Sequence, residues 1–207
     1  MATGQTSAMM ALRDPDIRLM LRVRDADDQA AFAELVERFQ HRLVGVMHHL
    51  VANADEAEDL AQEVFLRVYR TRTRYTPKAK FSTWLFTIAN NLALNALRDR
   101  KRRKHFPLDA SESGSQPSNV VASRDVPPTH HLQQVELAAV IRKALDDLNE
   151  RQRVAVVLNK FEEMGYAEIA EVMGLSAKAV KSLLSRARSR LRDALKPYID
   201  APEPGAE

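Results

Sequence analysis

Cysteine is absent from the 207-residue chain, which removes disulfide frameworks, thiolate zinc sites and thiol nucleophiles and is compatible with a reducing cytosol. Glycine is scarce, with six residues, and aromatics make up only 6%. That is little turn and ring material for a β-sandwich or barrel, and an all-α fold is expected. No stretch approaches 18 consecutive apolar residues, and Met1 to Asp16 holds no basic flank before a hydrophobic core. Neither membrane insertion nor an export signal is expected, and the location implied is cytoplasmic. A dominant charge sign is also missing, since 31 Lys and Arg face 28 Asp and Glu for a net +3. Any argument for a polyanionic partner therefore rests on how charge is distributed.

Apolar periodicity is what the chain does have. Phe32, Leu35, Val36, Phe39, Leu43, Val44, Met47 and Leu50 recur at steps of three and four, the spacing of one helix face. After Asn53 a second stripe follows in Ala57, Leu60, Ala61, Val64, Phe65 and Val68, with Asp55, Glu56, Glu58 and Asp59 suited to a helix's positive N-terminal end. Thr71 to Lys80 breaks the period with Pro77 and four basic residues. Ser82 is then expected to cap a third helix through Trp84, Leu85, Ile88, Ala89 and Leu92. It ends in charge, because six cations against Asp99 give net +5 over residues 98 to 104.

From His105 to about His131 the chain carries four prolines, several serines and no sustained period, which reads as a linker. A coil of about 27 residues has a typical span of about 26 to 31 Å and a full extension of roughly 90 Å, enough for two modules to act far apart. A new helical pattern begins at Val135 and closes at Leu148. Asn149 with Gln152 resembles a capping box, and Val154, Val157, Leu158 and Phe161 supply the next buried side. Ser176 caps a last helix that Pro197 is expected to stop. The expected organisation is thus a segment with a first short helix over 1–24, a helical domain over 25–104, a flexible linker over 105–132, a second helical domain over 133–198 and a disordered tail over 199–207.

Residues 168 to 180 have the layout of a helix-turn-helix. Ile169 and small Ala170 pack inward, Gly174 takes the positive φ of the turn, and Leu175 and Val180 return the chain to the core. The second helix then presents Ser176, Lys178, Lys181, Ser182, Ser185, Arg186 and Arg188, and between Ser176 and Tyr198 seven cations face Asp193 alone. Such a face fits a recognition helix, its first turns reaching base edges in a major groove and its later arginines meeting phosphates. An ordinary solvated helix face is the plainer alternative. The run at 98–104 is less specific, but Tyr75, Phe81 and Trp84 lie upstream with Lys78 and Lys80, and Asn90, Asn91 and Asn95 lie between. Aromatics beside cations stack on unpaired bases, and amides bond base edges; the competing reading is that Phe81 and Trp84 are simply core.

At these residues the chain resembles the extracytoplasmic-function sigma factors of bacterial RNA polymerase, of the sigma-70 superfamily. The stretch from Asp55 to Phe65 is similar to the family's polymerase-binding helix, Phe81 to Asn91 to its promoter-opening helix, and the helix-turn-helix completes the order. The resemblance covers nearly all of residues 14 to 198. It implies that 25–104 is sigma domain 2 and 133–198 sigma domain 4. It implies that Asp55, Asp59, Gln62, Glu63 and Arg67 dock on the clamp coiled coil of the polymerase's largest subunit, with domain 4 on the flap. By the same likeness Arg74, Tyr75, Lys78, Lys80, Trp84, Asn91, Asn95, Arg98 and Arg102 engage the melted −10 strand, and the helix-turn-helix residues named above read the −35 element as duplex. Core RNA polymerase, promoter DNA and an anti-sigma factor are the implied partners, with no cofactor and no metal. Small Ser185 and apolar Leu183 depart from many relatives, which leaves base preference open.

Two other classes compete. An enzyme finds little support, since no Glu-x-x-His pair, His-Glu-x-x-His motif or glycine-rich phosphate loop occurs, and no catalytic residue is expected. A conventional regulator, with an N-terminal sensing or dimerisation domain, differs from the sigma reading in that it holds its operator unaided.

Overall fold

A computed structural model describes residues 14–51, 53–105 and 128–199, among which there are eight α-helices and no strand. The N-terminal unit contains α1 (Pro15–Ala26), α2 (Gln29–Val51), α3 (Ala54–Arg70), a 3₁₀ turn (Arg72–Arg74) and α4 (Phe81–His105). The C-terminal unit contains α5 (Pro128–Asp146), α6 (Glu150–Lys160), α7 (Tyr166–Met173) and α8 (Ala177–Ile199).

Local chemistry sets most of the helix ends. Asn53 Oδ1 accepts the Glu56 N–H at 2.8 Å to open α3, and Asn149 and Gln152 exchange both bonds of a capping box to open α6. Gly174 sits at φ 63 and closes α7, its N–H turned back on the carbonyls of Ala170 and Glu171. Ser176 Oγ then accepts the Ala179 N–H at 3.2 Å and starts α8.

Three boundaries differ from the sequence pattern. Ser82 does not cap α4; the helix begins at Phe81, whose N–H is met by Asp14 Oδ2 at 3.3 Å while Asp14 Oδ1 caps α1 through Asp16 at 2.9 Å. One carboxylate thus serves the N-termini of two helices, the second of which begins 67 residues further along the chain than Asp14. Pro197 does not stop α8, which continues to Ile199 with the proline in its last turn, so the one bond its missing N–H forfeits, to the Asp193 carbonyl, has only two helical residues beyond it. Helix α5 starts at Pro128, inside the span expected as linker, and proline suits a first helical position because its missing N–H would be unbonded there anyway. The rest of that span, 106–127, lies outside the described residues, as do 1–13 and the tail from 200 onward.

Most of the stripe residues face inward as their spacing predicts, but Phe161, expected on the buried side of α6, lies at the C-terminal cap of that helix and is 48% exposed. Leu35, Leu43, Met47 and Leu50 of α2 meet Ala57, Ala61 and Val64 of α3 and Phe81, Leu85 and Phe86 of α4, all fully or almost fully buried. In the C-terminal unit Val154, Val157, Ile169, Val180, Leu184 and Ala187 do the same. The two units are also in contact with each other, α6 packing on α2 and α7 on α4, so that one apolar cluster runs through both. Widely separated modules are not what this conformation contains.

Candidate nucleic-acid and docking surfaces

The helix-turn-helix builds its outward face from the core up. Burial of Val180, Leu184 and Ala187 on α8 fixes the rotation of the helix, and their spacing leaves Lys178, Lys181, Ser182, Ser185 and Arg186 exposed together. Ser176 is exposed at the cap. Arg188 is exposed as well, with its Nη2 donating to the Tyr166 hydroxyl at 2.9 Å, which links α8 to the helix before the turn. The face carries small hydroxyls between cations, so backbone and base edges of a duplex can approach closely.

The second surface is the loop before α4 and the outer side of α4. Arg74, Lys78 and Lys80 on the loop are exposed, as are Asn91, Asn95, Arg98 and Arg102 along the helix. At 1.5 Å per residue the step from Asn91 to Arg102 spans about 16 Å, a strip long enough for several unpaired nucleotides. Arg102 pairs with Asp99 at 2.5 Å, and Lys80 Nζ pairs with Glu168 Oε1 of α7 at 2.7 Å. That last bond raises the lysine's pKa and, together with the Gly165 N–H on the other oxygen, lowers the carboxyl's.

Tyr75 and Asn90 are corrected by burial. The tyrosine is 3% exposed, its ring 4.7 Å from Trp84 and 6.4 Å from Phe81 between centroids, so it supports the loop from beneath rather than stacking on a base. Burial, reinforced by Asp14, pushes its phenol far above the ordinary range. Asn90 is 5% exposed and belongs to the core side of α4. Phe81 is fully buried, whereas Trp84 is half-buried, with one part in this aromatic cluster and one part at the surface.

The third surface lies on α3. Asp55, Asp59, Gln62 and Arg67 are exposed, and Glu63 is half-buried and holds Arg67 at 2.9 Å. Beside them runs an apolar groove of about 580 Å³ lined by Phe32, Val36, Phe65, Leu66 and Tyr69. Leu66, 49% exposed, was not among the expected contacts. Its signal is a leucine out of phase with the inward stripe, one residue past Phe65 and two before Val68.

Two histidines sit where the units meet. His49 stacks on Phe161 with ring centroids 4.0 Å apart, and His48 is its neighbour. Burial, followed by the charge of Arg142 on α5, holds His48 below its usual pKa; burial, His48 and Arg142 do the same to His49. A depressed histidine contributes stability that is present above its unfolded pKa of about 6.5 and is lost as pH falls through the folded value. Glu162 acts in the opposite sense, because burial raises its carboxyl and the Arg42 hydrogen bond offsets this only in part. The raised Glu162 contributes stability below its unfolded value of about 4.5, lost as pH rises through its folded value. Thermal melting is therefore expected to fall between pH 7.5 and 5.5, and a His48→Gln/His49→Gln variant to flatten that dependence. Parallel profiles for the two proteins would contradict the assignment.

Among the described residues no cluster of three or more His, Asp or Glu is arranged to hold a metal ion. No helix among them is long and apolar enough to cross a membrane.

Comparison with known proteins matches two stretches of the chain to family models, Sigma-70 region 2 over residues 35–103 and Sigma-70, region 4 over residues 138–191. The ECF RNA polymerase sigma factor SigW of Bacillus subtilis is 33% identical over 173 residues, 82% of this chain and 91% of its own. The RNA polymerase sigma-H factor of Pseudomonas aeruginosa is 33% identical over 191 residues, 92% of this chain and 98% of its own. Among solved structures, the sigma factor RpoE in complex with the anti-sigma factor NepR from Bartonella quintana superposes with a TM-score of 0.63 at 26% identity, over 82% of this chain and 98% of that one.

Proposed function

On the premise that the chain belongs to the extracytoplasmic-function sigma factors, and so is a promoter-directing sigma factor, we propose a division of labour among its three surfaces. Asp55, Asp59, Gln62, Glu63 and Arg67, with Leu66 and the apolar groove beside them, dock on the clamp coiled coil of core RNA polymerase. The strip of Lys78, Lys80, Trp84, Asn91, Asn95, Arg98 and Arg102, with Arg74 on the loop, holds the −10 element as a melted strand. Lys178, Lys181, Ser182, Ser185, Arg186 and Arg188, begun by Ser176, read the −35 element as duplex. The chain's role is binding and positioning, and nucleotide transfer is left to the core enzyme.

The observation that carries this reading is the exposure of a cation-and-hydroxyl face on α8 together with a cation-and-amide strip on α4, each backed by its own buried stripe. Cations with base-reading hydroxyls suit a duplex groove, while cations with amides beside a half-exposed tryptophan suit unpaired bases. The two chemistries on one chain support a factor that handles duplex and open strand in the same event. An anti-sigma factor is proposed as a partner, supported by the complex in which the Bartonella relative was solved.

Substitutions on α8 test the sorting. Arg186→Ala is expected to cost about 1 to 3 kcal/mol and to relax preference at one base pair of the −35 element, the signature of a base-edge contact. Arg192→Ala, further along the exposed side, should weaken every promoter alike. Equal losses from Arg186→Ala on all promoter variants in a holoenzyme binding assay would overturn the base-reading assignment.

A further inference from the structure

The loop that leads into α4 carries a charge that its own stretch of sequence does not offset. No acidic residue occurs between Glu63 and Asp99, while Arg72, Arg74, Lys78 and Lys80 all fall within residues 72–80. Regular structure in the loop is limited to the 3₁₀ turn, and only Tyr75 and Pro77 of residues 71–80 are buried. The buried Tyr75 hydroxyl has no hydrogen-bond partner among the described residues, which is a further cost to this conformation. Like charges close together and an unpaired buried hydroxyl both work against a fixed loop, so the loop is held from outside.

Helix α1 and the turn after it hold the loop at three points. At its start, Asp27 Oδ1 lies 2.9 Å from Arg72 Nε and accepts the Tyr69 hydroxyl at 2.8 Å. The Arg72 guanidinium lies 4.0 Å from the centre of the Tyr69 ring, and its Nη1 donates to the Tyr69 carbonyl at 2.9 Å. In the middle, Arg24 Nη1 donates to the Tyr75 carbonyl at 3.1 Å, while Asp25 takes Nε and Nη2 of the same guanidinium and so sets its orientation. At the end, Asp14 Oδ2 accepts the Phe81 N–H at 3.3 Å.

Asp27 stands out among these groups. It caps α1 at φ 50 and ψ 37, a left-handed conformation that glycine adopts at lower steric cost. Glycine would make the same turn; what the aspartate adds is a carboxylate on Arg72 and Tyr69. Its side chain is 54% exposed, and an ion pair so open to water adds little to stability. Its effect is on direction. Arg72 is drawn down onto Tyr69 and is half-buried, whereas Arg74 and Lys78 are left facing solvent.

We infer that Asp27 is a positioning residue for strand capture: acting through Arg72, and with Arg24 and Asp14 beside it, it fixes the loop so that Arg74 and Lys78 are in place before the melted strand arrives. Asp27 itself touches no DNA. The loop's role toward the strand rests on the sigma-factor reading; the bracing does not. A loop without the brace must order Arg74 and Lys78 as it binds, and at about 2- to 13-fold for each immobilised side chain the loss comes to about tenfold or more.

The test uses the full chain in holoenzyme, on a promoter taken from its own mapped start sites. Opening is read by permanganate reactivity of unpaired thymines in the −10 element. Co-elution with core enzyme and binding to a duplex that ends upstream of the −10 element are read beside it. Asp27→Gly keeps the left-handed turn, and it is expected to lower opening about tenfold or more while core association, duplex binding and melting temperature stay parental. Asp27→Asn keeps an acceptor for the Tyr69 hydroxyl without the charge on Arg72 and should fall between. Arg72→Met should lose as much as Asp27→Gly, and the double variant no more than either, because the two residues act as one unit. In the free protein, hydrogen exchange should quicken in Asp27→Gly at the Arg74 and Tyr75 amides, which bond to the Thr71 and Arg72 carbonyls.

Parental opening or parental exchange in Asp27→Gly would overturn the inference. So would losses in core association and duplex binding equal to the loss in opening, which mark a general structural role, or additive losses in the double variant. In each of those results the parental holoenzyme still opens its promoter and the sigma reading stands. A parental chain that gives no start sites with core enzyme is the failure of the sigma reading itself, and the strand-positioning role falls with it.

Discussion

Asp59→Lys is expected to abolish stable association with core RNA polymerase while leaving the melting temperature of the isolated protein nearly unchanged. Asp59 is exposed on α3, on the same side as Asp55 and Gln62 and next to the groove that Leu66 enters. It is the sixth residue of the helix, beyond the turn in which a carboxylate interacts appreciably with the helix dipole. Exposed substitutions of this kind change stability by about 0.5 kcal/mol or less. At the centre of the proposed docking face a reversed charge acts differently, since it removes any attraction to a cation on the partner and adds a repulsion. Central interface residues lose about 2 to 4 kcal/mol on substitution, which is about 30- to 700-fold in affinity. Co-elution with core enzyme reads the first effect and circular dichroism the second. Loss of helicity would make Asp59 a structural residue, and unimpaired co-elution would remove α3 from the docking surface.

The second large effect is expected at Trp84. Its indole packs at 4.7 Å from Tyr75 and 6.0 Å from Phe81, and these rings close the top of the N-terminal core beneath the basic loop. Truncation to alanine empties that contact and should cost about 3 to 5 kcal/mol. For a chain of this size the loss corresponds to a fall of about 6 to 20 °C in melting temperature. Trp84→Phe keeps much of the packing and should recover most of the stability while still reducing strand binding, because the smaller ring offers less surface to a base. If Trp84→Ala melts like the parent and only strand binding suffers, the side chain belongs to the surface alone.

What could be seen in the sequence was whatever short-range chemistry determines. Asn149 and Gln152, Gly174, and Ser176 act within three or four residues of themselves, and each appears in the fold where its spacing puts it. The buried stripes of α2 and α3 were legible for the same reason, since a helix repeats its environment every 3.6 residues. The candidate faces followed as complements of those stripes, which is why Lys181, Arg186, Asn91 and Asn95 emerge exposed.

Partners distant in sequence were not legible. Asp14 caps α4 from 67 residues away, and no local pattern around Ser82 reports it. Tyr75 reads as a polar aromatic beside cations, yet its burial depends on Phe81 and Trp84 folding over it. Pro197 forfeits one bond, to the Asp193 carbonyl, with only two helical residues after it, so its usual meaning as a stop fails by two residues. The pairing of Glu162 with Arg42 joins residues 120 apart and becomes visible only once the units are in contact.

Run-off transcription tests the central claim most directly: the purified chain is mixed with core polymerase on a fragmented genomic template, and the 5′ ends of the transcripts are mapped. The account predicts discrete start sites preceded by two shared elements, absent with core enzyme alone and lost with Asp59→Lys. It is contradicted if the chain forms no complex with core enzyme and yields no start sites of its own, while holding a duplex operator tightly unaided.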